Sequence, residues 1–240
     1  MTKQPITIVQ LYPRDMNIYG DEGNVLVIKR RLEWYGYEPI VIRYNVGDTF
    51  PADADIIIGG GGQDSGQEKI HEDLLSIGDT LKAFAEKGTP TLVVCGLYQL
   101  FGHSFKTLDG KNLEGISLLD VTTIGKTERL IGNIITDSKE FGPIIGYENH
   151  SGQTYLGPKA SPLATVRSGA GNSLGHSYEG ARYNNVIGTY LHGSILPKNP
   201  AIADFLIQTA VTKKYGEFSH HLIDDSIAEQ ARVIAAKRPR

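Results

Sequence analysis

Short apolar runs alternate with amphipathic stretches over the first hundred residues. ITIVQL (6–11), PIVIRYNV (39–46), ADIIIGG (54–60) and TLVV (91–94) are rich in β-branched residues and closed by turn-forming positions, the pattern of buried strands. Between them, GNVLVIKRRLEWYG (23–36) has helix-compatible spacing and ends at a glycine stop. QEKIHEDLLSIGDTLKAFAEKG (67–88) places Ile70, Leu74, Leu75, Ile77, Leu81 and Phe84 on one approximate helical stripe. This succession predicts an α/β fold with a mostly parallel central sheet flanked by helices. Such sheets place their sites at the carboxyl ends of the strands.

From about residue 105 to 190 the pattern changes to glycine-punctuated β segments. LLDVTTIG, RLIGNIIT, PIIGYENH, ATVRSG and NVIGTYLHG follow one another and predict antiparallel or mixed strands extending the sheet. The last part, NPAIADFLIQTAVTKKYG and SIAEQARVIAAKRPR, predicts two C-terminal helices within about 199–240 and a solvated basic tail. With no repeat, low-complexity tract or linker, residues 1–240 are expected to form a single domain.

Composition narrows the function classes. Charged residues make up 21%, hydrophobic residues 40%, and the formal net charge is −3, which argues against disorder and against a nucleic-acid surface. The opening MTKQPITIVQLYPRD lacks the features of a secretory leader, and no apolar run reaches the ~18 residues of a membrane span. A cytoplasmic protein is expected, consistent with its single cysteine. That cysteine, Cys95, excludes an internal disulfide and a cysteine-built zinc cage. Two readings remain: a small buried hydrophobe, or a nucleophile.

Position favours the nucleophile. With TLVV as a strand and GLYQLFG opening a helix, Cys95 falls on a sharp strand-to-helix turn, and Gly96 leaves space for it. The helix amino terminus is expected to stabilise the thiolate. A nucleophile also requires a base and donors for developing negative charge. His192 follows the run NVIGTY and is the leading base, with His150 in GYENHSG as its rival. His71 falls within a predicted helix, His103 follows LFG closely, and His220 and His221 sit in a polar segment and read as surface residues. IIIGGGGQDSGQE (56–68) offers backbone N–H groups suited to an oxyanion. A phosphate loop is disfavoured, because Gly61 and Gly66 are followed by Gln67 and Glu68 rather than lysine and a hydroxyl residue. A glycine-rich turn without chemistry is the plain alternative.

Four segments in order, GGGGQD, CGLYQ, GYENHSG and GTYLHG, resemble the cobyric acid synthase-type class I glutamine amidotransferases over roughly residues 5–215. YPRDMNIYGDEGN (12–24) and HGSILPKNP narrow the resemblance to the glutaminase subunits of lipid II isoglutaminyl synthases. The resemblance implies a class I amidotransferase-like sandwich in which Cys95 attacks the glutamine carboxamide and His192 shuttles the proton that releases ammonia. It implies that Gly96 and one of residues 59–62, with Gly61 as the choice, donate to the oxyanion. Among Arg43, Arg129, Arg167 and Arg182, it favours Arg129 for binding glutamine or lining the ammonia route, with a plain surface arginine as the alternative. Gln99, one turn past Cys95, is a candidate pocket residue. The polar cluster of Asn17, Tyr19, Asp21 and Asn24 is assigned to the site rim or a subunit contact. Many class I amidotransferases carry a glutamate two positions after the histidine, where this chain has Ser194, so a dyad is expected.

Amidation also needs an activated carboxylate, and the sequence offers neither a phosphate loop nor a metal cluster. No cofactor is expected in this chain; ATP and magnesium are expected in a partner. By resemblance that partner is a MurT-like Mur ligase subunit that binds lipid II and amidates its D-glutamate, forming a heterodimer at the cytoplasmic membrane surface. A different cysteine hydrolase or redox sensor of related fold, and a catalytically idle binding subunit, are the competing classes.

Overall fold

The four early apolar runs become parallel strands, and the helices between them cover the sheet. The computed structural model describes residues 3–218 and 222–239. The first half runs β1 (Pro5–Leu11), α1 (Glu22–Trp34), β2 (Glu38–Tyr44), β3 (Ile56–Gly59), α2 (Asp64–Ser76), α3 (Gly78–Glu86), β4 (Thr91–Val94) and α4 (Gly96–Leu100). Ile56 to Ile58 and Leu92 to Val94 are almost wholly buried, as expected for strands covered on both faces. On α1, Val25, Ile28 and Leu32 face the core, whereas Leu26 and Trp34 are exposed. The long helical stripe is broken in two: Ile77 leaves helical geometry (φ −96, ψ 1) and Gly78 packs against Ile116.

The second half runs β5 (Ser104–Lys106), β6 (Asn112–Glu114), β7 (Val121–Ser138), β8 (Gly142–Leu156), β9 (Ala164–Ser168), β10 (Tyr178–Glu179), β11 (Ala181–Tyr183) and β12 (Val186–Thr189). It closes with α5 (Ile195–Lys198), α6 (Pro200–Tyr215) and α7 (Ser226–Ala236). Only β11 and β12 extend the central sheet, whose order is β11-β12-β4-β3-β1-β2; all its neighbours are parallel except β11. The other mixed strands build a second sheet, β10-β9-β7-β5-β6, with β8 paired to β7. LLDVTTIG and RLIGNIIT, two runs in the sequence, fuse into β7. The junction is a register break between Gly125 and Leu130.

One apolar cluster spans both sheets, joining Ile8 and Leu92 to Phe105, Ile134 and Ile144. At the chain's end, Arg31 is buried and ties α1 to the residues around α6 and α7, bonding Asp204 at 2.7 Å and Asp225 at 2.6 Å. No residue of α7 is buried. Among the described residues, no helix is long and apolar enough to cross a membrane, and no three His, Cys, Asp or Glu cluster to hold a metal ion.

Candidate active site

Four adjacent parallel strands deliver the site. β12 leads to His192, β4 to Cys95, β3 to the glycine run, and β1 to the loop containing Asn17, Tyr19 and Asp21. Register aligns the ends: Thr189 pairs with Val94, and Val93 with Gly59. The Cys95 N–H donates to Thr189 O at 2.8 Å, fastening the turn to the neighbouring strand.

Cys95 stands at the predicted strand-to-helix turn with φ 50 and ψ −103, a conformation that L-residues rarely adopt. Such strain at a strand's end aims a nucleophile outward while its neighbours pack. The turn is held from below. Gln67 of α2, itself buried, donates to Gly96 O at 3.0 Å and Gln99 Oε1 at 2.9 Å, and Gln99 donates to the Tyr190 hydroxyl at 3.1 Å.

Gly61 lies between Cys95 and His192, whose ring nitrogens make no hydrogen bond to the sulfur. A β-carbon built on it would have His192 Cε1 at 3.0 Å, Cys95 Cβ at 3.1 Å and Asp21 Oδ2 at 3.6 Å. Only a glycine leaves that space open. Its N–H donates to Asp21 Oδ2 at 2.8 Å, so the expected oxyanion donor is engaged by a carboxylate in this structure. The neighbouring Gly62 N lies 3.1 Å from where a Gly96 β-carbon would stand.

A cavity of about 330 Å³ opens onto Cys95, lined also by Tyr19, Gln67, Gln99, Arg129 and His150. The hairpin of β7 and β8 supplies its far wall. Gly125 pairs with Gly152 and Leu130 with His150, so residues 126–129 bulge opposite Ser151. That bulge turns Arg129 to the cavity mouth, where it donates to Asn149 Oδ1 at 2.6 Å and the Tyr19 hydroxyl at 3.4 Å.

Electrostatics correct one expectation. The Cys95 thiol is not held as thiolate by the helix end: burial pushes it up to about 12, and the Asp21 carboxylate pushes in the same direction. The Gly96 N–H and Arg129 act oppositely but are outweighed. With α4 only five residues long, its dipole is a small counterweight to a crevice where Cys95 is 6% exposed. His192 is likewise held neutral, lowered to about 3 by burial first and then by His150 and Arg129. Burial thus favours the uncharged form of both thiol and imidazole.

Both candidate histidines are at the site in different roles. His192 packs its ring against Tyr19 at a centroid distance of 4.2 Å, and neither ring nitrogen has a hydrogen-bond partner among the described residues. His150 lines the cavity, stacks on Tyr190 at 3.6 Å, and bonds Gly152 O through Nδ1 at 2.6 Å. Ser194 does not reach His192; its hydroxyl donates to Gly20 O at 2.7 Å. His71 and His103 bond elsewhere, to Glu114 O and to Ser117 and Asp120. Arg43, Arg167 and Arg182 pair with Glu22, Asp137 and Glu140. His220 and His221 lie outside the described residues.

Two carboxyl groups beside the site are buried in a way the sequence does not signal. Asp21, expected at the site rim or a subunit contact, is buried against Gly61, its carboxyl raised to about 6 by desolvation against the pull of the Gly61 N–H. Glu179 is fully buried and accepts from Thr189 Oγ1 at 2.9 Å and Tyr190 N at 2.7 Å, anchoring the segment before His192. A lone Glu in HSYEGARY carries no local signal of that role.

The parallel sheet with Cys95 on a strand-to-helix turn and the glycine run at the neighbouring strand end is a glutamine amidotransferase fold. The chain belongs to the CobB/CobQ-like glutamine amidotransferase family, whose domain profile matches residues 7–200. The glutamine-hydrolyzing lipid II isoglutaminyl synthase subunit GatD of Staphylococcus aureus strain N315 is 38% identical over 235 residues, covering 97% of this chain and 96% of that protein. GatD of Streptococcus pneumoniae strain R6 is 36% identical over 215 residues, covering 88% and 83%. A glutamine amidotransferase structure from Thermotoga maritima shares the fold, with a TM-score of 0.55 at 15% identity over 96% of this chain and 93% of that one.

Proposed function

We propose that this chain is the glutamine-hydrolysing subunit of a lipid II isoglutaminyl synthase. The observation that carries this reading is similarity to two GatD subunits over 97% and 88% of this chain, joined to Cys95 and His192 flanking Gly61. L-Glutamine enters the cavity beside Cys95 with Arg129 at its mouth, where a guanidinium suits the α-carboxylate. Gln99, lining the same cavity, bounds the pocket.

His192 takes the thiol proton as the sulfur attacks the carboxamide carbon, and the new oxyanion is received by the Gly96 and Gly61 N–H groups. Collapse breaks the C–N bond, and the imidazolium returns its proton to the departing ammonia. Water then adds to the thioester, and glutamate leaves as the thiol is restored. Because burial favours the neutral thiol and the neutral imidazole, proton transfer accompanies the attack rather than preceding it.

The ammonia is consumed by a MurT-like Mur ligase partner, which binds ATP, magnesium and lipid II and activates the D-glutamate carboxylate. The two chains form a heterodimer on the cytoplasmic side of the membrane. Cys95→Ala is expected to abolish ammonia release from glutamine, assayed with the partner co-expressed. Release at the wild-type rate would remove the thiol from the mechanism, and failure of a Mur ligase-like chain to co-purify from the host would remove the partner.

A further inference from the structure

Asp21 occupies the N-cap position of α1, where an aspartate ordinarily accepts from the N–H groups of the first turn. Here it makes no side-chain cap bond. The carboxylate turns into the site instead, with Oδ2 on the Gly61 N–H at 2.8 Å and Oδ1 buried without a hydrogen-bond partner among the described residues. The first-turn Glu22 N–H is met by Asn17 Oδ1 at 2.8 Å instead, which leaves the Asp21 carboxylate to the site. Burying a half-satisfied carboxylate is costly, and a residue that only shaped the loop would leave it in water.

The neighbouring residues act in the same place. Ile18 N–H donates to Gly61 O at 3.2 Å, so this loop holds both polar groups of Gly61. Tyr19 covers the His192 ring and is tied to Arg129 through its hydroxyl. The segment from Ile18 to Asp21 therefore packs on the imidazole and occupies the Gly61 N–H.

We propose that Asp21 is a positioning residue that keeps the site closed before turnover: its carboxylate occupies the Gly61 N–H, and productive glutamine binding requires the 18–21 segment to release that donor to the oxyanion. This rests on the reading of Cys95 as nucleophile and Gly61 as oxyanion donor. The same carboxylate also disfavours the thiolate. Besides Asp21, the titratable and charged groups around this pocket are Cys95, His192, His150, Tyr19, Tyr190, Arg129 and Asp64.

The chain has one cysteine, so alkylation by iodoacetamide reads Cys95 alone. Asp21→Asn keeps an acceptor of the same shape without the charge, and Asp21→Ala removes both. In both variants the pH profile of alkylation is expected to move downward, giving about three- to tenfold faster labelling at pH 7.5, the factor that half to one pH unit confers on thiolate content. Profiles superimposable on wild type in both variants would overturn the proposal. The wild-type chain gives a measure independent of variant folding. The 15N-labelled Gly61 amide resonance is expected to track a carboxylate titration between pH 5 and 7, and to lose that dependence once 6-diazo-5-oxo-L-norleucine has alkylated Cys95, the diazo carbon taking the thiol proton and the sulfur displacing dinitrogen. A Gly61 resonance indifferent to both also overturns it. If Cys95→Ala retains glutaminase activity, the underlying function fails; if that variant is inactive while Asp21 variants label like wild type, only this inference fails.

Discussion

A side chain at Gly61 would press on both His192 and Cys95, whose nearest atoms stand 3.0 and 3.1 Å from the position of its β-carbon. Gly61→Ala is therefore expected to lower ammonia release by ~10²-fold through displaced reacting groups, with the thermal midpoint kept within a few degrees. Wild-type turnover in that variant would remove Gly61 from the reacting geometry. At this scale much was legible: a cysteine after TLVV, a glycine run after DIII and a histidine after a strand each announce a strand-end site. The direction of the thiol's titration was not, because it depends on how much water the fold excludes around the sulfur and on Asp21, which is 74 positions earlier in the chain.

Among the elements, the hairpin of β7 and β8 is where sequence and structure diverge most usefully. Two glycine-separated runs read as two strands, yet tertiary pairing with β8 continues the ladder across the bulge and uses the extra residues to aim Arg129. The hairpin is clamped to the segment after His192 by Asn199, which is buried, accepts from Ile145 N at 2.9 Å, and donates to Ile145 O at 2.9 Å and Ile195 O at 2.7 Å. Asn199→Ala strands these buried backbone groups, an expected loss of ~2–4 kcal/mol. Calorimetry is expected to record a midpoint about 5–10 °C lower, and an unchanged midpoint would show that water replaces the clamp.

For the whole molecule, stability depends on buried carboxyls as well as on packing. Burial pushes Glu179 up to about 8, against the donation of Tyr190 N and Thr189 Oγ1. Its value in the unfolded chain is about 4.3, so the folded state holds the extra proton and stability falls as pH rises between the two, by ~1.4 kcal/mol per pH unit at most. The buried histidines lose stability in the opposite direction, but only below their unfolded value of about 6.5. Between pH 6.5 and 8 the slope therefore belongs to Glu179. Denaturant unfolding is expected to show the wild type losing stability across that window and Glu179→Gln losing less; parallel slopes would mean that Glu179 is ionised in the fold.

The order of strands and helices, the parallel half of the architecture and the positions of Cys95, Gly96, Gln99 and His192 followed from local pattern. Apolar periodicity and turn chemistry act over a few residues, and a parallel sheet converts the end of each strand into a place on one edge. Whether the glycine-rich strands would extend that sheet or form a second one was decided by long-range pairing. So were the turning of Asp21 from its helix cap to Gly61, the anchoring of Tyr190 by Glu179, and the neutrality of the thiol and imidazole. These depend on which distant groups share a desolvated space, and desolvation is a property of the packed molecule rather than of any segment of its chain.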